Sequence, residues 1–262
     1  MDKNNLINFF FDNTKNTDNL GVGTEHEKFI FLSKDKKRIP FKGDVSINSL
    51  FQFLLTKGWL PGEISDGNII SLSRDGANIT LEPGGQVELS GKIQKNIHET
   101  CAETTTHLEE LNIFIKDNNL CMMGLGFDPI SSMEDIHWIP KKRYNIMKSY
   151  MPQVGSRGLD MMSRTCTVQA NFDYTSESDL VKKFVVSNRI QSFVIAMFCN
   201  SPFREMKHNG YLSNRVLTWS DTDIDRCGIK EIFINKNFSI EEYVDFALGV
   251  PNYFLEIDNT YV

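Results

Sequence analysis

Between residues 69 and 90 the chain carries three β-prone runs separated by two turn signals. Residues 69–73 and 77–82 flank Arg74-Asp75-Gly76, and an Asp-Gly pair between two such runs predicts a tight hairpin, because glycine accepts the positive φ that the turn demands. Pro83-Gly84-Gly85 breaks the chain again before residues 86–90 resume it. Three short antiparallel strands in a row commit the chain to a sheet. A second segment fixes the character of that sheet. Over residues 165–173 the pattern alternates strictly, with Thr165, Thr167, Gln169, Asn171 and Asp173 on one side and Cys166, Val168, Ala170 and Phe172 on the other. This predicts a strand with one polar and one packed face.

Helical periods separate the strands. Leu50, Phe53 and Leu54 predict a helix over residues 46–57; Ile93, Ile97, Cys101, Leu108, Leu111 and Ile115 predict one long helix over 93–116 with those side chains on its buried face. Further helices are expected over 141–150, after Ser176-Glu177-Ser178-Asp179 to about residue 199, and after Ser239-Ile240-Glu241-Glu242. Residues 4–12 read as a short helix or docking arm, 20–32 and 120–127 as strands, 34–38 as a charged turn, and 203–230 as a long loop rich in Arg, Asp and Gly. With no repeat, linker or domain boundary, the expected fold is a single α+β unit, an antiparallel sheet with helices packed on one face.

Composition narrows the function. The 262 residues are 40% apolar and 24% charged, sufficient for a core without a disulfide or metal staple. The net charge of −6 argues against a nucleic-acid partner but not against a small anionic ligand held by converging basic residues. No apolar run reaches membrane-spanning length, so no membrane partner is expected. The five cysteines are widely spaced, without C-x-x-C or zinc-like spacing, and the first residues lack the pattern of a secretion signal. Together these features read as reduced thiols in a cytoplasmic protein.

Glu25 and Glu27 lie two apart in a strand and so share a face; Glu82 closes one short strand, and Gln86, Glu88 and Ser90 share a face of the next. Strands are depleted in acidic residues. A solvated face paired with Lys28 and Lys92 would account for them, but so would a hard-cation site, since Mg²⁺ takes oxygen ligands and shares substrate phosphates. Arg143, Arg157, Arg164, Arg215 and Arg226 could face an anionic substrate, although each alone is as well read as a surface ion pair. His26 falls on the face opposite its flanking glutamates. Gly21-Val22-Gly23 and Gly124-Leu125-Gly126 lack the third glycine of a dinucleotide fingerprint, and no Walker A sequence or Ser/His/Asp set is present.

The stretches Gly23-Thr24-Glu25-His26-Glu27-Lys28-Phe29, Leu81-Glu82-Pro83-Gly84-Gly85-Gln86-Val87-Glu88-Leu89-Ser90-Gly91, Arg143-Tyr144-Asn145-Ile146-Met147, Gly158-Leu159-Asp160-Met161-Met162-Ser163-Arg164-Thr165 and Thr218-Trp219-Ser220-Asp221-Thr222-Asp223 follow one another in the order found in plant and proteobacterial glutamate–cysteine ligases, which the chain resembles over residues 20–254. The resemblance implies a glutamine-synthetase-like antiparallel sheet. It also implies ATP- and Mg²⁺-dependent joining of the γ-carboxyl of L-glutamate to the amine of L-cysteine through a γ-glutamyl phosphate, the first step of glutathione synthesis. It implies Glu25, Glu27, Glu82 and Glu88 as ligands of two or more Mg²⁺ ions, and Gln86 and Arg164 on the ATP side. Arg143 and Arg215 would hold the substrate carboxylate and act in catalysis with Arg164, while Thr165 and Trp219 would line the substrate pocket. Phosphoryl transfer is mostly positioning and charge neutralisation, so the lack of a protein nucleophile agrees.

Members of that family are longer. The expectation is therefore a C-terminally incomplete catalytic domain, completed by a further segment, a homo-oligomer or a complementing chain. Two alternatives stand beside the active ligase: a non-catalytic glutamate-binding lobe, and a carboxylate–amine ligase with a different amine acceptor.

Overall fold

The structure is a computed structural model that describes residues 2–257 and 260–261. In chain order its elements are α1 (Lys3–Asp12), β1 (Val22–Leu32), α2 (Ile47–Leu55), β2 (Leu60–Pro61), β3 (Ile64–Ser65), β4 (Asn68–Ile69), β5 (Ser71–Arg74), β6 (Ala77–Leu81), β7 (Val87–Ser90) and α3 (Ile97–Asp117). There follow β8 (Leu120–Met123), α4 (Lys142–Val154), α5 (Gly158–Arg164), β9 (Val168–Phe172), α6 (Glu177–Phe198), β10 (Phe203–Arg204), β11 (Lys207–His208), α7 (Asn214–Ser220), α8 (Ile240–Gly249), β12 (Glu256–Ile257) and β13 (Thr260–Tyr261). Mixed helices around an antiparallel sheet give the expected α+β class. Among the described residues no helix is long and apolar enough to cross a membrane.

The main sheet has seven strands in the order β2-β5-β6-β7-β1-β8, with β9 also paired to β1. β5 and β6 join through Asp75 (φ 51°) and Gly76 (φ 86°), both in the left-handed region, the two positive φ values of the turn that the Asp-Gly pair announced. β1 is the hub. Its residues Glu25 to Lys28 pair with Ser90 to Val87 of β7, its opposite edge pairs Val22 to His26 with β9, and beyond that Phe29 to Leu32 pair with β8.

Alternation along these strands divides the sheet. Ile79 and Leu81 of β6, Val87 and Leu89 of β7 and Ile30 of β1 join Leu50, Phe51 and Leu54 of α2 and Leu111, Phe114 and Ile115 of α3 in the main core. Burying such a side chain fully contributes ~1.5–3 kcal/mol, so this apolar face fixes the register. Ser46 caps α2 by accepting from the Ser49 N–H, and Asn96 caps α3 by accepting from His98 and Glu99. The opposite face of the sheet carries Glu25, Glu27 and Glu88 and is covered by α4, α5 and α7. Tyr144 of α4 donates its hydroxyl to the Leu81 carbonyl at 2.9 Å.

Four expectations change. The buried stripe of α3 is Thr100, His107, Leu111, Phe114 and Ile115, while Ile97, Cys101 and, ahead of the helix, Ile93 are exposed. The helix begins only at Ile97, and its first half meets the sheet through polar contacts: Glu103 accepts from the Lys92 amide at 3.2 Å and the Thr104 hydroxyl lies 3.3 Å from His26 Nε2. The apolar side of β9 is not packed: Val168 is 70% and Phe172 65% exposed. Residues 203–230 are not loop throughout, since they hold the β10–β11 hairpin and α7. The charged turn at 34–38 ends in a buried residue, Arg38, drawn inward by Asp128.

Candidate active site

A cavity of about 500 Å³ lies between the polar face of the sheet and the helices above it. Glu25, Glu27, Glu82, Gln86, Glu88, Arg143, Thr165, Arg215 and Trp219 all line it. Of the site residues implied by the resemblance, only Arg164 does not, and the further candidates Arg157 and Arg226 also lie outside the lining. The Arg164 side chain is fully buried, bonds Asp160 and Glu205 at 3.1 Å each and lies over the Phe127 ring, so it holds α5 to the β10–β11 hairpin. Local alternation could not place it, because α5 was not visible as a helix.

Three of the four carboxylates are held by their own neutral neighbours, while Glu82 accepts no hydrogen bond from a described residue. Glu27 accepts from the Thr167 amide (3.1 Å) and hydroxyl (2.8 Å); Glu25 accepts from Gln169 and Asn171 at 2.8 Å each; Glu88 accepts from Ser90 (2.7 Å) and Thr80 (3.2 Å). None of the four glutamates is in an ion pair among the described residues. Glu27 and Glu88 sit directly opposite across β1 and β7, an arrangement that like charges make unfavourable. The electrostatic strain is visible in acidity. Burial, with Glu82 and Glu88 nearby, pushes the Glu27 carboxyl up to about 8 against the opposing Thr167 bonds. Burial and Glu88 push Glu82 up to about 7, with Arg143 and Lys141 pulling the other way. The bonds to Thr167, Gln169, Asn171, Thr80 and Ser90 also spread the carboxylates along the wall. Among the described residues no three Asp, Glu, His or Cys side chains come close enough together to hold a metal ion.

Two arginines supply the opposite charge. Arg215, in the first turn of α7, is largely buried beside Trp219, and its Nε has no hydrogen-bond partner. Burial pulls the pKa of its guanidinium below the ordinary value, and Glu27 opposes that fall. Arg143, in the first turn of α4, stands near Glu82 over the Tyr144 ring. Gln86 is 1% exposed; its Nε2 donates to the Thr165 carbonyl at 2.8 Å, and its Oε1 is left unpartnered. Thr165 turns its hydroxyl back to the Met161 carbonyl.

Sequence reading missed Tyr144, Thr167, Gln169, Tyr253 and Phe254 as parts of this cavity. The polar alternation over residues 165–173 carried the signal for Thr167 and Gln169. Nothing local pointed to Tyr253, which reaches the cavity because Arg226 lies on its ring, 3.8 Å from the centroid, and Asp223 accepts its hydroxyl.

The cavity thus sets carboxylates without ion-pair partners on a wall of antiparallel sheet against arginines across it. The chain belongs to glutamate–cysteine ligase family 2 (GCS2), whose description matches residues 21–260. It is similar over its whole length to glutamate–cysteine ligase A, chloroplastic, of Oryza sativa subsp. indica (42% identical, 53% of that protein covered). Similar too are the chloroplastic glutamate–cysteine ligases of Arabidopsis thaliana (41%, 50% covered) and Medicago truncatula (40%, 51% covered), again over all of this chain. The chain thus spans about half the length of the curated relatives it matches. Their names place those relatives in chloroplasts, which overturns the expectation of a cytoplasmic protein drawn from the cysteines and the first residues.

Proposed function

We propose that this chain forms the glutamate- and cation-binding part of an ATP-dependent glutamate–cysteine ligase, in a sheet of the glutamine-synthetase type, catalysing the first step of glutathione synthesis. The observation that carries the reading is the set of four unpaired glutamates facing two arginines in one cavity. Oxygen donors without a protein cation suit Mg²⁺, which would keep water and phosphate oxygens in its shell. The spread of the carboxylates fits more than one ion, each taking few protein ligands. The bound ions would neutralise the polyphosphate charge.

The chain's own groups account for the rest. Arg215, with its unpartnered Nε, and Arg143 orient L-glutamate by its carboxylate, since a guanidinium fork matches that group. Trp219 walls the pocket. Thr167 fixes the Glu27 carboxylate, and Gln86 and Thr165 form the floor. The γ-carboxylate oxygen of glutamate attacks the γ-phosphorus of ATP and ADP leaves; the amine of L-cysteine then attacks the acyl carbon, phosphate departs and the amine sheds a proton. Neither step needs a protein nucleophile.

A second reading, a lobe active only with a complementing segment or chain, is favoured by one observation. β9 is exposed along its whole length, and the adjoining α6 exposes Phe193, Met197 and Phe198 at 71–76%. Bare apolar surface of this kind marks a docking face. Calorimetry of the 262-residue chain with L-glutamate, and phosphate release from Mg·ATP with and without L-cysteine, test both readings. Glutamate binding with turnover supports the ligase, binding without turnover supports the lobe, and no glutamate binding refutes both. Turnover with another amine in place of cysteine would reassign the acceptor.

A further inference from the structure

One guanidinium lies at the junction of the two cavity walls without entering the cavity. Arg38 is 5% exposed and donates from all three nitrogens: Nε to Asp128 at 2.7 Å, Nη1 to the Gly84 carbonyl at 2.9 Å and Nη2 to the Ser163 carbonyl at 3.0 Å. Its Cζ lies over the Phe29 ring, 4.2 Å from the centroid. Asp128 is itself fixed by the Ile130 and Ser131 amides, and Arg38 holds its carboxyl below the ordinary range despite burial. Gly84 belongs to the turn that carries Glu82, and Ser163 lies in the last turn of α5, which leads to Thr165 and Thr167. The two backbones approach so closely that a Cβ at Gly84 would stand 2.4 Å from the Ser163 carbonyl oxygen.

We propose that Arg38 is a positioning residue of the cation site: its fork clamps the Glu82 turn to the end of α5 and so sets the separation of Glu82 from Glu27. The inference rests on the reading that these carboxylates take divalent cations. Lysine at this place would keep the charge beside Asp128 but cannot reach three acceptors in fixed directions. The hydrogen-bonded link between the turn and the end of α5 would then fall to Gln86, through its bonds to the Met162 and Thr165 carbonyls.

The test compares Arg38→Lys with Arg74→Gln. Arg74 is also a paired arginine on an aromatic ring, bonded to Glu110 over Trp59, but it lines a different cavity. Two readouts are taken on the 262-residue chain: deuterium exchange of the Glu82 and Gly85 amides, which close the turn, and Mn²⁺ uptake followed by the electron paramagnetic resonance of the free ion. In R38K both amides exchange at least tenfold faster while α3 amides keep their protection, and the Mn²⁺ half-saturation rises about tenfold, the usual loss when a group supporting metal ligands is removed. In R74Q neither moves. Unchanged amide protection or unchanged Mn²⁺ half-saturation in R38K overturns the proposal. Asp128→Asn, which withdraws the anchor from the other side, gives the same reading if R38K does not fold. Wild-type chain that takes up no Mn²⁺ refutes the cation reading, while the exchange data still decide whether Arg38 holds the turn.

Discussion

Replacing Glu82 by glutamine should stabilise the cation-free chain at pH 8, the reverse of what a substitution in a well-packed wall usually does. The Glu82 carboxylate accepts no hydrogen bond from a described residue and is in no ion pair, so the isosteric amide removes only unfavourable charge. Burial and Glu88 raise its carboxyl from an ordinary 4.5 to about 7. A group whose folded-state value lies above its unfolded value holds its proton more tightly when folded. Its contribution to stability is therefore full below about pH 4.5 and is lost as pH rises through about 7. At 1.36 kcal/mol per pH unit the loss is on the order of 3 kcal/mol. Because the Glu27 carboxyl is coupled to it, one substitution should recover roughly 1–3 kcal/mol. For a chain of this length that is a rise in Tm of about 2–6 °C. Thermal unfolding followed by circular dichroism, in chelator at pH 8 and again at pH 4.5, is the assay. E82Q should melt above the wild type at pH 8 and beside it at pH 4.5. Added Mg²⁺ should raise the wild type more than E82Q, since a ligand stabilises only the form that binds it. An E82Q that melts at or below the wild type at pH 8, or gains equally at both pH values, would show that the carboxylates do not repel one another as described.

Arg215→Gln should weaken L-glutamate binding by thirtyfold or more, about 2 kcal/mol for a lost charge-assisted bond; calorimetry reads it, and an unchanged Kd would remove Arg215 from the substrate site. Thr167→Val leaves the backbone N–H on Glu27 but deletes the hydroxyl bond at 2.8 Å. The Glu27 carboxyl should then titrate above its present value of about 8, and ¹³C chemical shifts of the labelled carboxylate against pH would follow it; a fall would contradict the structure. Phe172→Lys on the bare side of β9 should leave the unfolding free energy of the isolated chain within about 0.5 kcal/mol of wild type. It should abolish complementation by a segment corresponding to the rest of the relatives. Unimpaired complementation would place the docking face elsewhere.

What could be read in advance followed the reach of the local signal. Asp75-Gly76 and Pro83-Gly84-Gly85 announce their turns because backbone conformation there depends on the residues themselves. Glu25 and Glu27 declare a shared face through the two-residue period of a strand. That Glu88 would stand opposite Glu27 depends on register, which is set by the apolar residues on the far face of β7 and β1. The burial of Arg38 was hidden, since it ends a run of exposed charges and is drawn inward by Asp128, 90 positions later. Arg164 misled for the converse reason: the resemblance carried it to the site, whereas its partners Asp160 and Glu205 hold it away from the cavity. The α3 stripe was misplaced because counting apolar residues alone gives no account of Thr100 and His107, polar side chains that face inward.

The central place of β1 bears on how the molecule comes into being. Val22 pairs with Phe172 and Glu25 with Gln169, so the side chains that hold Glu25 are made well over a hundred residues after it. Contacts of such separation incur loop-closure entropy before they return any stabilisation, and they fold slowly. During synthesis the hairpins from β5 to β7 can assemble on β1 early, leaving Glu25, Glu27 and Glu88 side by side with one edge of the strand open until β9 emerges. If these carboxylates take Mg²⁺ as proposed, the ion would have a part in assembly as well. By screening those charges in the half-built sheet it would act as a folding aid, and chelation should slow refolding from denaturant before any effect on turnover is measured.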